Sequence, residues 1–478
     1  MTETLKTKGI KGILWLVADR IGFQAIRFTI AIYLTRLLSP SDYGLIGMVG
    51  IFILLANLFV ESGLGAAIIR ADSISDSELT TIFIYNSSIS TIFYVILYIS
   101  APFIASFYNE HLLVEIVRLL GLALVINAIG SVQASLLTRS LSYRVLTVAN
   151  VLSTTISGLV AVILAYLGYG VKALVFQTLL QSLVKSGYLW FAGLWHPTFS
   201  HIDFKKSKPL FSFGWKILST ALSGHMIRNS VNVIIGKSFG AVPLGYFTQA
   251  KSLMEIPSTN IQYIFENISY PILAKVKDDD KKLKSAYKKI YKGFSFLIFP
   301  AMLGLIAISE DFVRILLTEK WLPTVPLLWF ISLYGMFNPM NSINVNILKV
   351  RNEMKMYMRL AYLNQALFFI TILFCSFGGI QLLAVGFGVQ AVITFLINSY
   401  FCGKSIGYSI IEQLQDLFEP IKISLMMILS IKLLGYAIEI SNVYLLLVQV
   451  SLGLFGYLFL FQLTNKSLFD EIKSVVWR

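Results

Sequence analysis

Apolar residues in this chain run on for twenty or more positions at a time, broken by short polar stretches, from one end to the other. A soluble amphipathic helix would turn a polar face outward every three or four residues, and a barrel strand would alternate at every position over about ten residues. Continuous runs of this length fit helices that cross about 30 Å of hydrocarbon, which takes about 20 residues. Fourteen can be marked, at 12–35, 43–69, 80–106, 113–137, 146–168, 171–195, 210–236, 241–272, 290–309, 325–348, 357–376, 381–402, 421–437 and 443–463. The pattern predicts an all-α polytopic membrane protein with about 14 transmembrane helices. The first run holds Asp19, Arg20 and Arg27 and ends without a small-x-small cleavage site, so it is expected to stay in the membrane.

Composition agrees with this reading. Of 478 residues 56% are hydrophobic and 13% charged, and mean hydropathy is +0.74, whereas a soluble chain carries about 25% charged residues. Positive loops stay cytoplasmic. With the N-terminus inside, 26 of the 39 Lys and Arg fall on inner segments and six on outer ones. Both termini are therefore expected in the cytoplasm, and the net charge of +14 needs no nucleic acid. The basic loop Lys275–Lys292 is read chiefly as topogenic, with anionic membrane lipids as its candidate partners. The longest soluble parts are expected at His196–Pro209, Ala274–Lys292 and Gly403–Pro420, too short for a catalytic domain, so no enzyme is expected. The last of these places Ile406, Ile410, Leu414 and Leu417 on one helical face and is read as an interfacial amphipathic helix. Cys375 and Cys402 lie inside apolar runs and say little about redox compartment.

The chain also repeats itself. At an offset of 201, Ile26-Arg27 falls on Ile227-Arg228, Arg36 on Lys237 and Gly44 on Gly245, and the turn Ser39-Pro40-Ser41-Asp42 lies over Gly240-Ala241-Val242-Pro243. The offset equals six spans, an even number, so the copies share one orientation. This predicts two parallel six-helix lobes, 1–195 and 210–402, facing each other around a central cavity and joined by a cytoplasmic linker at 196–209. An interfacial helix at 403–420, two additional C-terminal helices at 421–464 and a cytoplasmic tail at 465–478 complete the expected organisation.

An Arg at a helix centre costs about 2.5–3.5 kcal/mol on insertion scales, so charges inside spans are functional candidates. Arg20, Gln24 and Arg27 share one helical face, and His225, Arg228 and Asn232 share one in the repeat. Lys251, Glu255, Thr259, Gln262 and Glu266 form a third stripe, with Asn57 and Glu61 on its counterpart. Arg27 and Arg228 are deep in their spans, match across the repeat and have no carboxylate at i±3 or i±4. Guanidinium forks suit phosphate and carboxylate oxygens. These residues are the candidate anion site, with Gln24, Asn57, Asn232, Gln262, His225 and Lys251 as further lining. Asp19, Glu61, Glu255 and Glu266 are candidates for balancing that charge or for binding coupling H⁺ or Na⁺. Ion pairing between helices or along one helix is the structural alternative for Lys251–Glu255 and Asp19.

Two Gly-Lys-Ser runs, Gly236–Ser238 and Gly403–Ser405, are not phosphate loops, because Val231 and Asn398 stand where the earlier glycine is needed. His196 and His201 have no third ligand nearby, and no metal or cofactor is expected.

Lys11–Trp15, the run Ile30–Met48 (IAIYLTRLLSPSDYGLIGM), Glu61–Arg70 (ESGLGAAIIR) and Leu244–Phe247 together resemble the polysaccharide transporter family. These are the oligosaccharide flippases of the multidrug/oligosaccharidyl-lipid/polysaccharide exporter superfamily, and the likeness is to the O-antigen, colanic acid and teichuronic acid export type. It covers essentially the whole chain and is most specific in the first seventy residues. The resemblance implies two six-helix lobes around a cationic cavity. It further implies transfer of polyprenyl-pyrophosphate-linked oligosaccharide units to the outer leaflet by alternating access, in the bacterial inner membrane. A polysaccharide polymerase and chain-length machinery are then candidate partners. Rival readings are a multidrug or organic-cation antiporter, which should have an acidic cavity, a membrane enzyme acting on the same lipid, and a lipid II flippase.

Overall fold

The computed structural model describes residues 23–61, 63–193, 195–198, 204–437 and 443–464, and every regular element among them is helical. In chain order these are α1 (residues 23–37), α2 (Pro40–Glu61), α3 (Leu64–Arg70), α4 (Asp76–Tyr108), α5 (Leu113–Arg139), α6 (Tyr143–Tyr166), α7 (Val171–Phe191) and α8 (Phe204–Phe239). Then follow α9 (Ala241–Lys275), α10 (Asp280–Phe312), α11 (Thr324–Val350), α12 (Met354–Cys375), α13 (Gly379–Ser405), α14 (Ile410–Ala437) and α15 (Val443–Thr464). With α2 and α3 taken as one interrupted pass, these helices fall on the fourteen expected runs. Seven stretches of the described residues are long and apolar enough to cross a membrane, one of them covering α12 and α13 together. Large apolar side chains stand outward, among them Phe103 at 75%, Phe455 at 68% and Leu463 at 66% exposure. Such faces are stable against lipid and not against water. The chain is a multi-pass membrane protein.

Local chemistry sets the helix ends. Ser75 and Glu78 form a reciprocal capping box at the start of α4, and Asp279 caps α10 through the Lys282 amide at 3.0 Å. Ser39 and Asp42 bond reciprocally at the start of α2. Gly240, with φ +87, makes the corresponding junction before α9, a conformation that favours glycine.

The helices group into two compact units, Met1–Gly245 and Tyr246–Arg478. In the first, α5 packs against α2, α3, α4 and α7, and α8 packs on α2, α3 and α4. Small residues let these backbones approach, as is usual between membrane helices. On α6 the buried Ser153, Ser157, Ala161 and Ala165 make one stripe, and a Cβ at Gly158 would overlap Ile30 of α1. In the second unit α11 packs chiefly on α13, α10 lies against α11 and α14, and α14 pairs with α15. Phe296, Met427, Ile431, Tyr457 and Phe461 form the core joining α10, α14 and α15.

The structure departs from the expected organisation in three places. The pass at 43–69 is divided into α2 and α3, with Gly63 ahead of α3 at φ +68. Ala274–Lys292 is not a soluble loop, because α10 begins at Asp280 and its first three turns carry the lysines. Residues 403–420 are not a separate element: α13 runs to Ser405 and α14 continues without interruption from Ile410 through Pro420 to Ala437. Hydropathy marks the length of a helix in hydrocarbon, and these helices extend beyond it on ion pairs. Lys284 meets Glu412 at 2.8 Å, while Lys288 and Lys292 meet Asp416 at 3.0 and 2.9 Å. Parts of the linker at 196–209 and the whole tail at 465–478 lie outside the described residues.

Candidate functional site

The expected anion-site residues fall mostly in the first unit. Arg27 stands on α1 and Arg228 on α8, both exposed, and neither has a hydrogen-bond or ion-pair partner among the described residues. A membrane-embedded guanidinium keeps several donors that require acceptors. Gln24 on α1, Asn57 on α2 and Asn232 on α8 are half-buried, and the Asn232 Oδ1 has no hydrogen-bond partner. Glu61 ends α2 and His225 lies within α8, with side chains outside the described set, and Asp19 lies outside the described residues altogether.

The stripe on α9 is largely engaged in its own contacts. Lys251 and Glu255 approach to 3.9 Å along the helix. Gln262 Nε2 donates to Glu266 Oε1 at 2.8 Å, and the Ser342 hydroxyl of α11 donates to the same oxygen. The structure therefore brings together Gln262 with Glu266 and Lys251 with Glu255, and gives Arg27 and Arg228 no partner among the described residues.

Attention to charge alone overlooks a run of amides. On α11, Asn341, Asn344 and Asn346 are buried. Asn344 Nδ2 donates to Ser399 of α13 at 2.9 Å and its Oδ1 accepts from Tyr287 of α10. Asn398 Nδ2 donates to Asn341 Oδ1 at 3.1 Å and accepts from Asn364 of α12 at 3.2 Å, while Asn346 reaches Ser269 of α9 at 3.4 Å. Buried amides in hydrocarbon must find partners, and these lace α9 to α13 together. The signal was present as Asn341, Ser342, Asn344 and Asn346 inside one apolar run.

The first unit thus carries the cations Arg27 and Arg228, and the second a buried network of amides. Comparison with known proteins agrees in kind. The chain is 28% identical over 420 residues to the teichuronic acid biosynthesis protein TuaB of Bacillus subtilis, with 85% of each chain covered. It is 23% identical over 349 residues to the lipopolysaccharide biosynthesis protein WzxC of Escherichia coli, covering 71% of this chain and 70% of that one. Among solved structures, the lipid II flippase MurJ in an inward closed conformation matches with a TM-score of 0.75 at 16% identity, over 95% of this chain and 99% of that one. An inward-facing multidrug transporter of the MATE family matches with a TM-score of 0.61 at 17% identity, over 82% and 98%. The two structural likenesses show a common fold. The model of the polysaccharide biosynthesis protein family matches residues 33–326, more than half of the chain and including α2 through α10, and the chain belongs to that family.

Proposed function

We propose that this protein is a flippase that moves polyprenyl-pyrophosphate-linked oligosaccharide units from the cytoplasmic to the outer leaflet of a bacterial cytoplasmic membrane, for surface polysaccharide synthesis. The observation that carries the proposal is the pair Arg27 and Arg228, at matching positions of the sequence repeat inside apolar runs and without a partner among the described residues. Family membership supports the substrate class. A pyrophosphate and its sugars cannot cross hydrocarbon unaided, whereas a polyprenyl tail can remain in lipid throughout. The protein needs to shelter only the head. Arg27 and Arg228 hold the pyrophosphate, Gln24, Asn57 and Asn232 offer hydrogen bonds to hydroxyls, and inward- and outward-open states alternate around the two six-helix lobes. Both termini face the cytoplasm, Asp19, Glu61, Glu255 and Glu266 are the candidate positions for a coupling ion, and a polymerase receives the flipped unit. A cation exporter would place carboxylates, not unpaired arginines, against its substrate.

The test is leaflet transfer of a fluorescent polyprenyl-pyrophosphate oligosaccharide in proteoliposomes, read by an outside-only quencher. Wild type transfers the lipid, and the Arg27→Ala/Arg228→Ala double variant is slower by about a hundredfold, as the loss of two charge-assisted contacts implies. Equal transfer by a folded double variant removes the anion site. Supplying lipid II in the same assay decides whether peptidoglycan precursor is the preferred cargo.

A further inference from the structure

The break between α2 and α3 opens onto a cavity of about 390 Å³ inside the first unit. Gly63 and Gly65 form its floor, Asn86 of α4 and Ser131 and Ser135 of α5 supply its polar atoms, and Leu218 of α8 stands on its wall. No charged residue lines it among the described residues. Gly65 keeps it open, since a Cβ there would come within 3.0 Å of the Ser135 hydroxyl.

The hydrogen-bonding capacity of this lining is lopsided. Ser131 donates its only proton to the Ala128 carbonyl at 2.8 Å, and Ser135 donates its own to the Ser131 carbonyl at 2.9 Å. The Asn86 amide nitrogen is engaged with the Ser131 oxygen at 3.0 Å. Its carbonyl oxygen Oδ1 is buried with no partner, on a residue only 3% exposed. Hydroxyl and amide oxygens accept up to two bonds each, so the cavity presents acceptors: Asn86 Oδ1, both lone pairs of Ser135 and one of Ser131. A buried acceptor left empty costs about 1–3 kcal/mol. The unmet Asn86 Oδ1 calls for a donor, and the lining offers an anion no cation among the described residues. A bare alkali cation needs more converging oxygens than these three residues provide, in a much smaller space. The volume lies instead in the range of small-molecule pockets, about 300–1,000 Å³. Apolar wall beside acceptors suits a ring with C–H faces and hydroxyl edges.

We infer that this cavity is a subsite for a neutral, hydroxyl-bearing sugar ring of the transported head, with Asn86 Oδ1 and Ser135 Oγ accepting from its hydroxyls. The inference rests on the flippase reading for its source of sugar and adds residues that the arginine site does not include.

The test compares two lipids in the proteoliposome assay, undecaprenyl pyrophosphate carrying a neutral trisaccharide and undecaprenyl pyrophosphate alone. Asn86→Leu keeps the volume and removes the acceptor. It slows transfer of the trisaccharide lipid about tenfold at limiting concentration and leaves the bare lipid unchanged. Ser135→Ala, a milder change, slows the first about threefold. Arg27→Ala/Arg228→Ala slows both lipids, which separates the two sites. Equal rates for both lipids in Asn86→Leu and Ser135→Ala relative to wild type, or equal slowing of both, overturn the subsite. If wild type moves neither lipid, the flippase reading fails, and the cavity is then decided by labelling. Ala66→Cys, at the exposed mouth of the cavity, is placed in a chain whose Cys375 and Cys402 are Ala. Protection from maleimide by methyl hexosides, lost with Asn86→Leu, supports the subsite, and absence of protection overturns it.

Discussion

The helices that follow the outer turn in the two copies of the repeat, α2 with α3 and α9, begin alike and continue differently. At their starts the match is reciprocal. A Cβ on Gly44 would overlap the carbonyl oxygen of Ala241, and a Cβ on Gly245 would overlap the carbonyl oxygen of Pro40. At the offset of 201, Gly44 corresponds to Gly245 and Pro40 to Ala241, so each contact is the image of the other and a local two-fold axis passes between the first turns of α2 and α9. Further along, α2 stops at Glu61 and the chain breaks at Gly63, whereas α9 runs on through Pro257 and Pro271 to Lys275. Next to Pro257, the Ser258 hydroxyl donates to the Gly335 carbonyl of α11 at 2.9 Å. One copy has a cavity lined by unsatisfied acceptors; in the other, Glu266 with Ser342 and Ser269 with Asn346 satisfy one another. Symmetry is kept where backbones touch and given up where polar groups face space.

The sharpest way to break the comparison is at the shared start. Gly44→Ala and Gly245→Ala each force two helix ends apart and should each lower stability by about 2–3 kcal/mol, at the upper end of overpacking costs. The two values should agree, because the contacts are images. Gly50→Ala, one turn and a half further along α2 with nothing near its Cβ position, should leave stability unchanged. Thermal unfolding in detergent measures all three, and a harmless Gly44→Ala would dissolve the symmetric contact.

A second prediction concerns a device that ties α10 of the second copy to α14 beyond the repeat. Asp416 accepts from Lys288, Lys292 and Tyr408, and its side chain is 10% exposed. Burial raises its pKa, but the hydrogen bonds from Tyr408, Lys292 and Lys288 outweigh it and hold the carboxyl below its ordinary value. Asp416→Asn should cost about 2 kcal/mol, because three donors lose a charged acceptor. A carboxyl with a depressed folded pKa stabilises fully above its unfolded value near ~4 and loses that contribution as pH falls through the lower folded value. The deficit of the variant should stay constant from neutral pH to about 5 and shrink only below about 4. A deficit already shrinking near neutral pH would show that Asp416 is not held in its ionised form.

A third, smaller effect tests a likeness between the copies at their inner ends. Arg139 closes α5 and donates to the carbonyls of Ile68 and Asp72 at 2.8 and 3.0 Å. Arg351 follows α11 and reaches the Lys277 carbonyl at 3.3 Å and the Asp280 carboxylate. Each pins the inner segment that precedes the third helix of its copy. Arg→Ala at either position should cost about 1–2 kcal/mol and Arg→Lys should recover less than half, since a point charge cannot replace the planar fork. Full recovery by Lys would reduce both to topogenic charge.

The contrast also explains what could be read from the sequence. The all-helical, multi-pass character was legible because hydrophobic run length and the turn at Ser39–Asp42 are local signals. Arg27 and Arg228 stood out because a charge inside an apolar run is rare. Arg139 and Arg351 did not, since at helix ends their partners, backbone carbonyls and for Arg351 also the Asp280 carboxylate, lie far along the chain. The α10 lysines read as loop because Glu412 and Asp416, their partners, lie more than a hundred residues away. Asn86 and Ser135 were unremarkable as letters; their significance comes from a break in α2 that only the folded chain shows.

The smallest effect separates two kinds of intramembrane charge. Lys251 and Glu255 sit one turn apart at 3.9 Å, half-exposed, with the lysine nearer the helix N-terminus. That order is the weaker one for an i,i+4 pair, worth about 0.3 kcal/mol. Lys251→Gln should therefore leave stability within about 0.5 kcal/mol of wild type. Arg27→Gln and Arg228→Gln break no ion pair among the described residues and should leave stability equally unchanged. Transport is expected to part them. On the proposed anion site the arginines, which have no partner among the described residues, hold the substrate, whereas Lys251 shares its charge with Glu255, so Lys251→Gln should reduce transfer severalfold less than either Arg→Gln. If Lys251→Gln is the most damaging of the three, the anion site centres on α9 and the pair is opened by substrate.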